Sequence, residues 1–194
     1  MQDRNLTNYR RVRKTEKLIP EGEARFPTAG RVKISEWLFL AHGPLWRYSL
    51  IEFVLALFLS ILTLSIATGI FLIFGADIDL LSPPKRPASW REAFGLIVFA
   101  PILETLLLAA MLRVLSAATN RKLFIATTSA VLWGCLHGAF GLLWFFGTVW
   151  SFFIFSCAYI AWRKVSFRHA FMAAAVPHAL VNTSAMLVIV FGQA

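Results

Sequence analysis

Polar and apolar positions divide the chain into a basic leader and a series of long apolar runs. Residues 1–34 are polar and basic and are interrupted by Pro20, Gly22 and Pro27, which predicts a loosely structured tail. Ser35 is a candidate N-cap for a short segment from Glu36 to Trp46. That segment is too short to cross a bilayer, and its Trp37, Phe39 and Trp46 suit a membrane interface. Residues 53–76 are a charge-free run of 24, bounded by Glu52 and Asp77. As a helix they reach about 36 Å, enough for a hydrocarbon core of about 30 Å. Residues 77–92 contain Pro83, Pro84 and Pro87 and read as a non-helical loop. A second span covers 93–112, interrupted only by Glu104, and 113–122 read as a short turn. Residues 123–162 hold no Lys, Arg, Asp or Glu. Forty residues suit two crossings, with a tight connection near Gly141 to Gly147. After a basic turn at 163–168, residues 169–191 form the fifth span.

The expected fold is therefore all-α, a polytopic transmembrane bundle of about five spans. A basic tail with an interfacial segment occupies 1–47, and a transmembrane domain occupies 48–194. Composition agrees: 194 residues, 58% of them hydrophobic, with a mean hydropathy of +0.68. The first 36 residues lack the apolar stretch of a signal peptide, so the first span is expected to drive insertion. Cys135 and Cys157 both lie in apolar runs and read as small core residues, with no C-x-x-C motif between them.

Charge sets the topology. Nine of the 19 Lys and Arg residues fall in the first 36 positions of a chain with net charge +9. No nucleic-acid recognition motif accompanies them. A basic tail beside a membrane helix fits orientation and contact with anionic lipid instead. With the N-terminus cytoplasmic, the segments 1–52, 113–122 and 163–168 hold 16 Lys and Arg, and the outer segments hold three, all in 77–92. Fusing the third and fourth spans would place Arg163, Lys164 and Arg168 outside, against the positive-inside rule.

Four polar residues break the apolar runs, and each has a packing reading beside a chemical one. Glu104 lies near mid-depth of the second span. It can hydrogen-bond a neighbouring helix, or serve as a general base in a water-poor site. His137 follows Trp133 by one helical turn and lies between Gly134 and Gly138. This G-x-x-x-G spacing permits close helix approach, which would bring His137 beside the helix carrying Glu104. His178 and Asn182 share a helix face four residues apart. They can act as interhelical glue, or both can donate to a developing negative charge. Pro177 removes a backbone donor just before His178 and can open space there. From the expected cytoplasmic ends, Glu104 is about 12 Å deep, His178 about 14 Å and His137 about 21 Å. His42 and His169 lie at an interface and a basic helix end and read as structural.

The order of these residues resembles the CAAX-protease and bacteriocin-processing family of intramembrane proteases, often called CPBP or Abi. That family carries E-E-x-x-x-R, F-x-x-x-H and H-x-x-x-N on successive membrane helices. Here Glu104 matches the first Glu and follows Ala100-Pro101. Trp133 and His137 match the second motif with one aromatic exchanged for another, and His178 and Asn182 match the third. The second Glu position is Thr105 and the Arg position is Ala109. Arg113 lies one turn further on, at the expected cytoplasmic edge, and is not given the family role. The resemblance covers roughly 93–191, which would be the protease-like core.

The resemblance implies an intramembrane endopeptidase in the cell membrane of a bacterium, acting on peptide or membrane-protein substrates. Glu104 and His137 would activate water, and His178 and Asn182 would stabilise the tetrahedral oxyanion. Glu104, His137 and His178 would also form a possible Zn2+ set of the His2Glu type; a metal-free mechanism needs the same residues. Thr105 and Ala109 keep open a non-catalytic membrane scaffold or immunity-type protein. A small transporter or proton relay is disfavoured, because the five spans show no inverted repeat.

Overall fold

The computed structural model describes residues 37–192, and within them every regular element is helical. The basic tail over 1–34, the Ser35 cap, Glu36 and the contact of that tail with anionic lipid lie outside the described residues. Six helices follow in order: α1 (Leu45–Ile73), α2 (Ile78–Leu81), α3 (Trp90–Ala118), α4 (Lys122–Gly138), α5 (Leu142–Trp162) and α6 (Phe167–Gly192). Helices α1, α3, α5 and α6 are long and apolar enough to cross a membrane. The chain is an integral membrane protein. Helix α4 has 17 residues and reaches about 25 Å, the short end of what spans a bilayer. It completes the expected five.

Helix α5 is the axis of the bundle. Half of its most apolar window is buried, against at most 28% for the other three spans. It packs on α1, α4 and α6. Without a hydrophobic drive between helices in lipid, close approach and interhelical hydrogen bonds hold such a bundle. Both are present. Ala170, Ala173 and Ala174 on α6 are fully buried, as are Ala126 on α4 and Ala158 on α5. Ser60 Oγ and Ser151 Oγ are 2.9 Å apart, and Ser129 Oγ and Ser156 Oγ 3.0 Å. Thr63 Oγ1 donates to the Phe146 carbonyl at 2.8 Å. Phe58, Leu62, Leu107 and Val188 point outward, as lipid-facing residues must.

Several boundaries differ from the expectation, each for a local reason. Helix α1 starts at Leu45, not at 53, so Glu52 lies inside it and is 1% exposed. A charge that reads as a span boundary is in fact a buried polar group beside Tyr48, one turn earlier. The segment before α1 is not purely interfacial: Phe39 is buried and packs with Ala126 and Cys157. The loop at 77–92 is not free of helix, because Asp77 caps the single turn α2 by accepting from the Asp79 amide at 2.9 Å. Helix α3 runs to Ala118, six residues past its expected end. Gly147 is within α5, and the turn before it is confined to residues 139–141. Cys157 is buried as expected, whereas Cys135 is exposed among the outward apolar residues.

A π-helical turn at Gly95–Phe99 interrupts α3. Pro101 explains it. Proline lacks an N–H and its ring crowds the preceding turn, and a wider turn relieves that crowding. In this register the Ala100 amide donates to Gly95 O. The next donor along the chain would be residue 101, and it is proline, so Leu96 O receives no backbone bond from it. The Asn182 amide fills that role, with Nδ2 donating to Leu96 O at 2.8 Å. Asn182→Ala should therefore leave a part-buried carbonyl without its donor. The expected cost is about 1–3 kcal/mol, read as a lower unfolding temperature in detergent.

Candidate active site

Glu104, His137 and His178 come from α3, α4 and α6 and meet at one point. Glu104 Oε2 lies 3.6 Å from His178 Nε2 and 3.9 Å from His137 Nε2. The depths of about 12 and 21 Å expected from the sequence differ from those in the structure because α3 extends to Ala118, past the expected end at 112. Counted over the observed helices, Glu104 is 14 residues from Ala118 and His137 is 15 from Lys122, about 21 and 22 Å along their axes. The short α4 ends just past His137, so its last turn reaches the depth of Glu104.

The close approach arises differently from the expectation. A Cβ on Gly134 would meet the Phe145 ring at 3.0 Å, and one on Gly138 would meet Phe145 Cβ at 3.0 Å. The G-x-x-x-G face therefore packs α4 against α5, not against the helix carrying Glu104. It acts on the site indirectly, by turning the His137 face of α4 toward α3 and α6.

Aromatic rings fix the two imidazoles. His137 meets Trp144 edge-on at 5.0 Å and Phe152 at 5.3 Å. His178 stacks on Phe155 at 5.0 Å. Trp133 stacks on Phe152 at 4.6 Å, with the planes 6° apart. His137 Nδ1 lies 2.9 Å from the Trp133 carbonyl. A carbonyl only accepts, so Nδ1 carries a proton, and Nε2 points toward Glu104.

Glu104 Oε2 is buried and has no hydrogen-bond partner among the described residues. Both imidazoles lie just beyond bonding distance. Glu104 lines a cavity of about 380 Å³ together with His137, Trp133, Trp144, Lys85 and Arg86. The exposed apolar side chains Leu136 and Phe140 line it as well. The cavity is thus apolar on the lipid side and basic on the loop side. Arg86 reaches it from the loop between α2 and α3, pairs with Glu92 and lies over the Trp144 ring at 5.5 Å. Its guanidinium acts electrostatically on both Glu104 and His137.

Arg86 and Trp144 are the site residues that sequence reasoning missed. Neither has a motif spacing to Glu104, and both arrive through the tertiary fold. The key is Gly141. A Cβ there would lie 2.5 Å from Pro83 N and 2.6 Å from Ser82 C. The loop backbone rests directly on the α4–α5 turn, and this seats Pro84 to Pro87 over the site.

The remaining candidates separate. Asn182 is engaged by Leu96, one turn of α6 beyond His178. Arg113 lies on the wall of a different cavity. His42 bonds the Leu40 carbonyl at 2.9 Å, and His169 bonds Ser166 and stacks on Trp162; neither belongs to the site. Glu104 and the two histidines form the His2Glu donor set of hydrolytic zinc sites. Among the described residues, however, no group of three His, Cys, Asp or Glu converges tightly enough to form a metal site. No family model matches the chain, and no curated protein or solved structure does.

Proposed function

We propose that the protein is an intramembrane endopeptidase of the CPBP type, in the cytoplasmic membrane of a bacterial cell with its N-terminus inside. One observation carries this reading: a buried carboxylate oxygen without a hydrogen bond, facing two imidazole nitrogens at 3.6 and 3.9 Å across the wall of a cavity. Burying an unsatisfied carboxylate oxygen costs stability. Glu52 Oε2 is buried without a hydrogen-bond partner among the described residues as well; what sets Glu104 apart is that it also lines a cavity and faces two imidazoles, where chemistry could use it.

In the proposed reaction a water bound between Glu104 and His137 attacks the scissile carbonyl. Glu104 takes the proton as the new C–O bond forms, and the carbonyl oxygen becomes an oxyanion. His178 and Arg86 supply positive or donor character to that oxyanion. As the C–N bond breaks, Glu104 returns the proton to the leaving amine. Asn182 positions His178 by tying α6 to the π-helical turn of α3.

The cavity's two ends support a peptide or membrane-protein substrate. An apolar lip at Leu136 and Phe140 and a basic lip at Lys85 and Arg86 fit a peptide segment leaving the membrane. Production of the protein in a bacterial host should create new N-termini in membrane proteins or peptides, readable by N-terminal mass spectrometry. They should be absent with Glu104→Gln and His137→Ala. Identical sets from all three proteins would sink the proposal. Arg86→Ala is expected to lower kcat/KM by roughly tenfold or more, and Glu92→Gln less, because it removes only the anchor of the guanidinium.

A further inference from the structure

A second cavity, of about 710 Å³, lies at the opposite end of the bundle from the α2–α3 loop. Four cations from three places in the chain line it: Arg113 on α3, Lys122 at the start of α4, and Arg163 and Lys164 just after α5. No Asp or Glu lines it among the described residues. Its floor is apolar, with Ala109, Leu112 and Ile160. Its lipid side carries Leu106 and Phe167, which are 45% and 48% exposed. Lys122 and Lys164 sit close enough to repel each other. The Tyr159 hydroxyl faces Arg163 and Arg113.

Surface lysines and arginines at the cytoplasmic ends of helices are ordinary, and topology alone accounts for them. Their convergence on one cavity is a separate matter. Like charges held together repel one another, and the arrangement is favourable when an anion sits between them. The walls limit which anion. A soluble phosphate would use the cations and leave the apolar groove unexplained. A phospholipid would use both, with its phosphate among the four cations and an acyl chain descending past Leu106 and Phe167. Basic pockets between membrane helices on the cytoplasmic side bind anionic headgroups, and charge asymmetry assigns this end of the bundle to the cytoplasm.

We infer that this cavity is a binding site for one anionic phospholipid of the cytoplasmic leaflet, held by Arg113, Lys122, Arg163 and Lys164. The site is separate from Glu104 and does not depend on the peptidase reading. Occupancy would pin together the ends of α3, α4 and α5, which are the helices that carry or flank Glu104 and His137.

The test is native mass spectrometry of the full chain released from detergent, with phosphatidylglycerol, phosphatidylcholine or inorganic phosphate added. Wild type should retain one phosphatidylglycerol at concentrations where phosphatidylcholine leaves no adduct. A variant carrying Arg113→Gln, Lys122→Gln, Arg163→Gln and Lys164→Gln should lose that adduct by tenfold or more. A control with Arg47→Gln, Arg91→Gln, Arg121→Gln and Arg168→Gln removes as many charges outside the cavity and should retain it. Ala110→Phe keeps all four cations but fills the groove, and should also weaken retention. Equal loss in both charge variants would reduce the effect to surface charge and overturn the site. Full retention in the cavity variant, or displacement of the lipid by millimolar phosphate alone, would overturn it too. The Ala110→Phe arm covers the case in which the quadruple variant fails to fold.

Discussion

Glu104→Gln is expected to lower the rate of peptide cleavage by about a thousandfold, while the unfolding temperature in detergent stays within a few degrees of wild type or rises. Glutamine has nearly the same volume and keeps hydrogen-bonding capacity, so packing against His137 and His178 survives. What it loses is the ability to take a proton from water. General acid–base catalysis contributes about 10²–10⁴ in rate, which is about 2.7–5.5 kcal/mol of barrier. Stability should not fall, because the exchange removes a carboxylate oxygen that is buried without a hydrogen bond. The measurement is paired: turnover of an identified substrate, and thermal unfolding in the same detergent. A Gln variant as active as wild type would assign Glu104 to packing and favour the scaffold reading that Thr105 and Ala109 keep open. A variant that is inactive only because it unfolds would show a large drop in melting temperature, which is the opposite signature.

Gly141→Ala is the second large effect, and it acts at a distance from the reacting atoms. The three atoms that a new Cβ would meet are Pro83 N at 2.5 Å, Ser82 C at 2.6 Å and Ser82 O at 2.7 Å. All are backbone, so no side-chain rotation makes room. The backbone angle is not the obstacle, since φ at Gly141 is 161°, extended backbone open to any residue. The effect is purely steric, and the loop over 82–87 must lift. Lifting carries Arg86 away from Glu104 and opens the cavity to water. Activity should fall about a hundredfold, a size reached by displacements of about 1 Å in an ordered site. Stability should fall by about 1–3 kcal/mol, as for other overpacked contacts. Trypsin should cut at Lys85 faster in the variant than in wild type. Gly147→Ala is the matched control. Its Cβ would meet only Leu64 Cδ2 at 3.8 Å, so both readouts should stay at wild-type values. Equal effects at the two glycines would mean that the loop contact is not what seats the site.

Glu104, His137 and His178 are conspicuous in the chain because a polar residue in an apolar run is costly and therefore rare. Gly141 is also visible, as part of the turn between two apolar runs. Its actual partner, some 58 residues earlier at Pro83, leaves no trace in local pattern. The same holds for Asn182. Its spacing to His178 suggests a shared face, and that is correct as far as it goes. The orphaned Leu96 carbonyl that its amide meets depends on the π-helical turn, and that turn depends on Pro101. Glu52 misleads in the reverse direction. A charge at the edge of an apolar run reads as the end of a span, and only the packing of α1 on α5 shows it buried.

Hydrophobic run length, loop charge and the rarity of buried polar groups are properties of the chain alone. They were enough to determine an all-helical membrane protein of about five spans and to single out the residues that meet at its centre. Distances between helices are not encoded in any local run. They come from which small faces interlock, and here Gly134 and Gly138 lock α4 to Phe145 of α5, while the alanines of α6 close the bundle. Tertiary packing alone decided that Glu104 Oε2 faces two imidazoles, that Arg86 is carried to the same cavity by a loop resting on Gly141, and that four cations line a second cavity. Each of these juxtapositions joins residues far apart in sequence, and only the folded bundle brings them within reach of one another.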